Sequence, residues 1–375
     1  MNIYWCTTRH FQGDLCATTQ VAIIRNFISA GYKITVLGPD LPNADFEWNH
    51  IPFKQSSIKG RKASSLGKKI QPYLKSNVNS DDILFIDWPL VGSLSSFAEK
   101  NNIRWVCIDR SPPADSNIYA QLQRRVWKKA WRLVHYSVKK NGPCIGGAVV
   151  SDPHRNLIVD NFSLEKKNLC VVHAGFDSVL FGRNQNKTLS KPIQMVYHGK
   201  MDRNRGILKL ILLLDALLER GLSAKLNLIG SGDLDAHLLN LSAAHSGLEF
   251  HGPVAHEKIP EMLRMNAIGL LPMPKLPAWE IASPLKRSEY LASGLLVLGI
   301  NHQGHQLPVV IEDSEWYQLF TQQTFVEDAT NQIVKWNEKN NFSTLSNLAR
   351  DYAESYLEWK VTTQSLIEWV ESFSE

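Results

Sequence analysis

IQMVYHGKMDRNRGILKLILLLDALLERGLSAKLNLIGSGD, residues 193–233, is the stretch whose reading decides the fold. Its opening run, IQMVY, is short and apolar and stops near Gly199, where glycine lets the backbone turn tightly. From Ile207 to Arg220 apolar residues recur at helical spacing, interrupted by Lys209 and Asp215. KLNLIG then reads as a second strand, closed by the turn residues of GSGD. Strand, helix and strand in that order are the unit of a parallel sheet covered by helices.

The same alternation extends in both directions. Toward the C-terminus follow LEFHG, a helix from Lys258, AIGLLPMP, another helix, and LLVLGI. Toward the N-terminus MNIYWC, YKITVLGP, DILFID and IRWVCID read as strands, with helical patterns over Thr18–Ala30 and Val91–Lys100 between them. GAVVSD and LCVVHAGFD complete this first series. The polar stretch GRNQNKTLSKP, residues 182–192, reads as a linker. The expected organisation is α/β: two Rossmann-like, doubly wound parallel-sheet domains in tandem, residues 1–185 and 186–350. Residues 351–375 form a helical segment rich in aromatics (Tyr352, Tyr356, Trp359, Trp369), placed to pack back on the first domain.

A chain of 375 residues, 44% hydrophobic and 21% charged, carries enough apolar material for two such cores. Its net charge of +5 is too small and too dispersed for a nucleic-acid binder, but it suits anionic small substrates or an acidic membrane surface. The five cysteines form no CxxC pair, which points to neither a zinc site nor a disulfide framework. They read as small buried residues in a reducing compartment. The start MNIYWCTTRHF lacks a secretory pattern and no stretch is long and apolar enough to span a membrane, so a cytoplasmic protein is expected.

In open α/β sheets ligands sit beyond the carboxyl ends of the strands, so the chemistry belongs in the loops after them. HGKMDRNRG, His198 to Gly206, follows a strand and precedes a helix. Lys200 and Arg205 there set two cations beside a helix N-terminus, a favourable place for phosphate; a solvated basic turn would look the same. WEIASPLKRSEYLASG, Trp279 to Gly294, follows the strand AIGLLP. Ser283 reads as a helix N-cap, Pro284 as the first helical residue and Gly294 as the residue that closes the helix. Lys286 falls in the first turn, against the helix dipole, unless an anion sits in front of it. Glu289 lies three residues on, on the same face, where a carboxylate can take a ribose diol. An ordinary surface helix with a Lys–Glu pair is the plainer reading.

Taken together, these segments resemble the donor half of the retaining glycosyltransferases of the GT-B fold, family 4. The family's glycine–cation loop is matched by Gly199-Lys200 with Arg205-Gly206. Its F-x-G-x-V turn is matched by Phe250-His251-Gly252-Pro253-Val254. Its S-P-x-K-x-x-E-Y helix is matched by Ser283-Pro284-Leu285-Lys286 through Glu289-Tyr290 to Gly294. In the first half, Gly13 stands where the family brings glycine to the donor phosphates, and VVHAGFDSVLF (Val171 to Phe181) resembles the segment that closes the first domain.

The resemblance implies two domains facing a central cleft and a nucleotide sugar as donor. The acceptor would be a glycan or a lipid-linked sugar, and transfer would retain anomeric configuration without a metal or other cofactor. Lys200 and Arg205 would stabilise the leaving diphosphate, helped by Lys286, while Glu289 would hold the ribose. Two positions depart from the pattern. The family's first glutamate should stand at Ile281, but the nearest acid is Glu280. Where the family often has a histidine near the reacting carbon, RWVCID ends in Asp109-Arg110; Asp109 either takes that role or pairs with Arg110.

Other features fall into place around this reading. Asp233-Leu234-Asp235 reads as a capping pair at a helix start, although other glycosyltransferases hold a metal with D-x-D. GSGDLD lacks the final glycine of a dinucleotide fingerprint. The twelve histidines read as ordinary, with His302 and His305 lacking partners for a metal and His10 lying near Gly13. Residues 59–75 and 119–140 are basic, and the latter is also aromatic, which fits either a core helix with a solvated edge or contact with anionic lipid. A nucleotide-sugar 2-epimerase of the same fold, or a non-catalytic binding protein, is the alternative to a transferase.

Overall fold

The computed structural model describes residues 1–11, 17–39, 46–58, 60–110, 113, 118–182, 187–312 and 314–373. The chain divides into two compact units, Met1–His173 with Trp359–Glu375, and Ala174–Glu358. The α/β expectation is met in each of them.

The first unit carries β1 (Asn2–Cys6), α1 (Thr18–Ser29), β2 (Lys33–Gly38), β3 (Asn49–Pro52), α2 (Lys62–Asn77), β4 (Ile83–Asp87) and α3 (Trp88–Lys100). β5 (Arg104–Ile108), α4 (Ile118–Lys139), β6 (Cys144–Val149), α5 (Asp152–Phe162) and β7 (Leu169–Val171) follow. The strands form one parallel sheet in the order β3-β2-β1-β4-β5-β6-β7. Each parallel neighbour needs a crossover, which among the described residues a helix supplies at every step of this unit except β2 to β3. Central strands covered on both faces are apolar throughout: all five residues of β4, ILFID, are buried. On one face α3 packs between α2 and α4. α5 begins at an N-cap, Ser151, whose hydroxyl accepts from the His154 N–H at 3.1 Å.

The second unit carries β8 (Ile193–His198), α6 (Ile207–Glu219), β9 (Ala224–Ile229), α7 (Asp235–Ala244), β10 (Leu248–Phe250), α8 (Ile259–Arg264) and β11 (Ile268–Leu271). α9 (Pro277–Glu280), α10 (Leu285–Ala292), β12 (Leu296–Ile300), β13 (Tyr317–Phe320), α11 (Phe325–Glu338) and α12 (Phe342–Tyr356) complete it. Its parallel sheet runs β10-β9-β8-β11-β12-β13. The strand order turns back between β8 and β11, and ligands of such sheets collect at that point. The last helix, α13 (Trp359–Glu371), packs on α1 and β7 of the first unit.

Cys6, Cys107, Cys144 and Cys170 are unbridged and buried, and burial pushes all four thiols up. Among the described residues no helix is long and apolar enough to cross a membrane.

Candidate donor site

β8 delivers His198 and Gly199 to the point where the strand order of the second unit reverses. Gly199 has φ 128°, a conformation that L side chains rarely adopt. Its carbonyl also leaves no room on the neighbouring loop, because a Cβ on Gly230 would stand 1.8 Å from the Gly199 oxygen. The loop is pinned further by Tyr197, whose hydroxyl donates to the Lys200 carbonyl at 3.0 Å. Lys200 itself is exposed.

Lys286 reaches this loop from α10. Its Nζ lies 3.5 Å from the Tyr197 hydroxyl, 3.9 Å from the Met273 sulfur and 4.6 Å from the centre of the Tyr197 ring. Among the described residues it has no carboxylate partner in ion-pair range. Burial, and then the charge of Arg205, lower its ammonium from 10.5 to about 7, while Glu289 works against both. A buried cation at a strand end with no counter-ion is costly alone, and an anion placed against it removes that cost.

Arg205 lies on the 3-10 turn Arg203–Arg205, just before Gly206. Its guanidinium stacks on the Trp279 ring at 4.6 Å, and its Nε is 3.6 Å from an Asp202 carboxylate oxygen. Lys286 and Arg205 are therefore brought together, and Gly199 lies against the lysine.

The start of α10 differs from the sequence reading. The helix begins at Leu285 with Pro284 in the cap position, and Ser283 caps nothing within it. The Ser283 hydroxyl instead accepts from the Ala174 N–H at 2.9 Å and from Arg287 at 3.3 Å. A partner 109 residues away in the chain outcompetes the local N–H groups. Gly294 does follow the helix in the left-handed conformation, at φ 68°.

Glu289 is 1% exposed and stands between two imidazoles. His256 Nε2 is 2.6 Å from Oε1, and His198 Nε2 is 3.0 Å from Oε2, off the line of a good hydrogen bond. Burial alone would raise the carboxyl, but the two histidines hold it at about 2. His256 is correspondingly raised against the effect of its own burial. Neither histidine stood out in the sequence, although both flank strand-end loops that did.

Glu280 closes α9, with one oxygen 3.9 Å from Lys275 Nζ. α9 lies tightly on the 3-10 turn Gln303–His305, since a Cβ on Gly304 would meet the Trp279 carbonyl at 2.0 Å. His302 and His305 stack there with ring centres 3.8 Å apart, and burial lowers both. Asp235 accepts from the Gly232 N–H at 2.7 Å and Asp233 from the Arg203 N–H at 2.9 Å, so both acids serve backbone turns.

In the first unit Asp109 is fully buried at the end of β5. Its Oδ2 accepts from the indole N–H groups of Trp127 at 2.5 Å and Trp131 at 3.0 Å, and lies 3.3 Å from His154 Nε2. Arg110 turns elsewhere and donates to the Val172 carbonyl. Asp109 is thus not gathered with Arg110, and its neighbours are the aromatics of α4. Gly13 lies outside the described residues, as do Lys59 and residues 183–186 of the expected linker.

Residues 192–338 match the family described as glycosyl transferases group 1. No curated protein sequence matches the chain. Among solved structures, sucrose-phosphate synthase of Thermosynechococcus elongatus superposes with a TM-score of 0.73 at 15% identity, covering 100% of this chain and 99% of that one. HepE of Anabaena, solved in complex with UDP, gives 0.69 at 13% identity, covering 99% and 100%. WaaG, a glycosyltransferase involved in lipopolysaccharide biosynthesis, gives 0.67 at 14% identity, covering 96% and 98%. These likenesses establish a shared fold along the whole chain. Residues 192–338 are thus similar to glycosyl transferases group 1, and the chain as a whole shares the two-domain fold of these solved structures.

Proposed function

We propose that the protein moves a sugar from a nucleotide-sugar donor to a glycan or lipid-linked acceptor, with retention and without a metal. One observation carries this reading: the buried Lys286 ammonium, without a carboxylate partner among the described residues, beside Gly199 where the strand order turns back. The donor diphosphate lies against Lys286 and Arg205, Lys200 adds a cation at the rim, and Glu289 serves the ribose end. In transfer the sugar becomes oxocarbenium-like while the leaving diphosphate gains negative charge. Cations already fixed in place stabilise that charge without reorganising, which is the service a metal gives elsewhere. Glu280, next to Trp279 in the segment after β11, is the candidate for the sugar hydroxyls.

HepE has been solved with UDP and with UDP-glucose, so these two are the first probes. A thermal-shift and calorimetric titration should find one diphosphate donor that binds the native chain and binds Lys286→Ala at least tenfold more weakly. An unchanged shift in both Lys286→Ala and Arg205→Ala would remove the phosphate site. Incubation with donor alone separates transfer from 2-epimerisation, because only an epimerase changes the sugar without an acceptor.

A lipid-linked acceptor is favoured by α4. Its inner side buries Trp127, Ala130, Trp131 and Val134, while Arg125, Lys128, Lys129 and Arg132 are exposed together with Leu122, Val126 and Tyr136. No acidic residue occurs in the helix. α2, on the same helical layer, exposes Lys62, Lys68, Lys69 and Lys75. Cations mixed with exposed apolar side chains suit an anionic lipid surface.

A further inference from the structure

Each of the two gathered cations lies on an aromatic ring. Lys286 Nζ stands 4.6 Å from the centre of the Tyr197 ring, and the Arg205 guanidinium carbon stands 4.6 Å from that of Trp279. A ring face attracts a cation through its quadrupole and brings no counter-charge. A carboxylate in the same place would neutralise the cation and repel a phosphate. Among the described residues Asp202 alone comes within ion-pair range of either cation. It lies 3.6 Å from Arg205 Nε and makes no hydrogen bond to that atom.

Tyr197 offers more than a face. It lies on β8, fully buried, and its hydroxyl has one hydrogen, which goes to the Lys200 carbonyl at 3.0 Å. Burial pushes the phenol up to about 12 and so keeps that hydrogen in place, while Arg205, close enough to hydrogen-bond, pulls the other way. The phenol oxygen is left to accept from two donors, Arg205 and the Lys286 ammonium at 3.5 Å.

Trp279 is used for its face alone. Its indole N–H is sealed from solvent and has no acceptor among the described residues. The ring packs against the apolar core of the second unit, and the close approach of Gly304 to the Trp279 carbonyl fixes the backbone behind it. A guanidinium stacked on such a ring keeps one plane, so its fork of N–H groups stays aimed.

We propose that Tyr197 and Trp279 are positioning residues for transfer: their rings hold Lys286 and Arg205 in place, and the Tyr197 hydroxyl bridges the two. The proposal rests on the donor reading above and names what holds its cations.

Calorimetry on the full chain with UDP, GDP and ADP identifies the diphosphate that binds, and a melting temperature is recorded for each variant. Trp279→Leu should weaken that diphosphate by about fivefold or more with little change in melting temperature, and Trp279→Phe, which restores a face, should bind within about twofold of native. Tyr197→Phe keeps the ring and removes the bridging oxygen. Without that acceptor the Lys286 ammonium loses its proton about one pH unit earlier. Affinity should then be within about twofold of native at pH 6 and about tenfold weaker at pH 8.5. The ionisable groups around that ammonium are Arg205, Glu289 and His305. Glu289 is held at about 2 and burial keeps His305 well below 6.5, so neither changes charge over this range. Equal losses at both pH values, or none, would overturn the bridging role of the hydroxyl. Native-like binding by Trp279→Leu, or a Phe variant as weak as the Leu variant, would overturn the role of the ring face. Each of these results leaves the donor site standing. A native chain that binds none of the three diphosphates would overturn the donor reading, and the proposal with it.

Discussion

Lys286 rests its ammonium on Tyr197, 3.5 Å from the phenol oxygen and 4.6 Å from the ring centre. Burial and Arg205 bring this lysine to about 7, so near neutral pH a large share of molecules hold it uncharged. A diphosphate favours the charged form, and binding above pH 7 must therefore take up a proton. UDP affinity should fall by about tenfold per pH unit above 7, until the pKa of the complex is reached. Titrations in buffers of different ionisation enthalpy measure that proton directly. An affinity flat from pH 6 to pH 9, or a native-like slope in Lys286→Met, would contradict the assignment.

Glu289 links the site to stability. Its folded value of about 2 lies below the ordinary 4.5, so its contribution is present above 4.5 and is lost as pH falls through about 2. His256 is shifted the other way: its contribution is full below 6.5 and is lost as pH rises through its raised folded value. The cluster should thus support the second unit most between about 4.5 and 6.5. Urea unfolding of Glu289→Gln beside the native chain should give a deficit that narrows from pH 5 toward pH 2. A constant deficit over that range would mean the charge contributes nothing.

Asp109 anchors α4 by accepting from two indole N–H groups, and the whole cluster is out of solvent. Asp109→Leu leaves both indole donors without their acceptor and should cost on the order of 2–4 kcal/mol. The check is chemical denaturation of the variant. Asp109→Asn, which keeps an acceptor oxygen, should lose less stability and retain sugar transfer in the folded fraction. A stable Asp109→Asn protein with no transfer would return this residue to the chemistry.

The α4 surface gives a prediction on vesicles. The native chain should sediment with phosphatidylserine-containing vesicles and much less with phosphatidylcholine alone, and 0.5 M salt should release it. Arg125→Glu with Lys129→Glu should weaken sedimentation at least fivefold without changing the melting temperature, since both side chains are exposed. Equal binding to both lipids would remove the membrane reading.

Much of this was legible because it depends on short-range pattern. The βα alternation follows from runs such as ILFID and LVLGI, buried on both faces. Gly199 and Gly294 do adopt positive φ where the turns were expected. The Lys286 position could be read because a cation in a first turn is anomalous on its own helix. What escaped was set by partners distant in sequence. His256 and Glu289 meet across 33 residues, and Ser283 is drawn off its helix by Ala174. Asp109 offered two roles in sequence terms, yet the indoles that donate to it lie 18 and 22 residues on, along one face of α4. No local pattern encodes those choices.

The passage of the chain between its two units has a consequence for biosynthesis. The second unit is continuous, Ala174–Glu358, and its two ends are tied by the Phe176 N–H donating to the Leu357 carbonyl at 2.9 Å. The first unit is not continuous: α13 belongs to it and buries Trp359, Leu366, Ile367 and Val370 there, with Trp369 donating to the Lys167 carbonyl at 2.8 Å. Order of translation and order of completion are therefore reversed. The half that leaves the ribosome first must wait, with the seat of α13 uncovered, while the half translated second becomes whole before it.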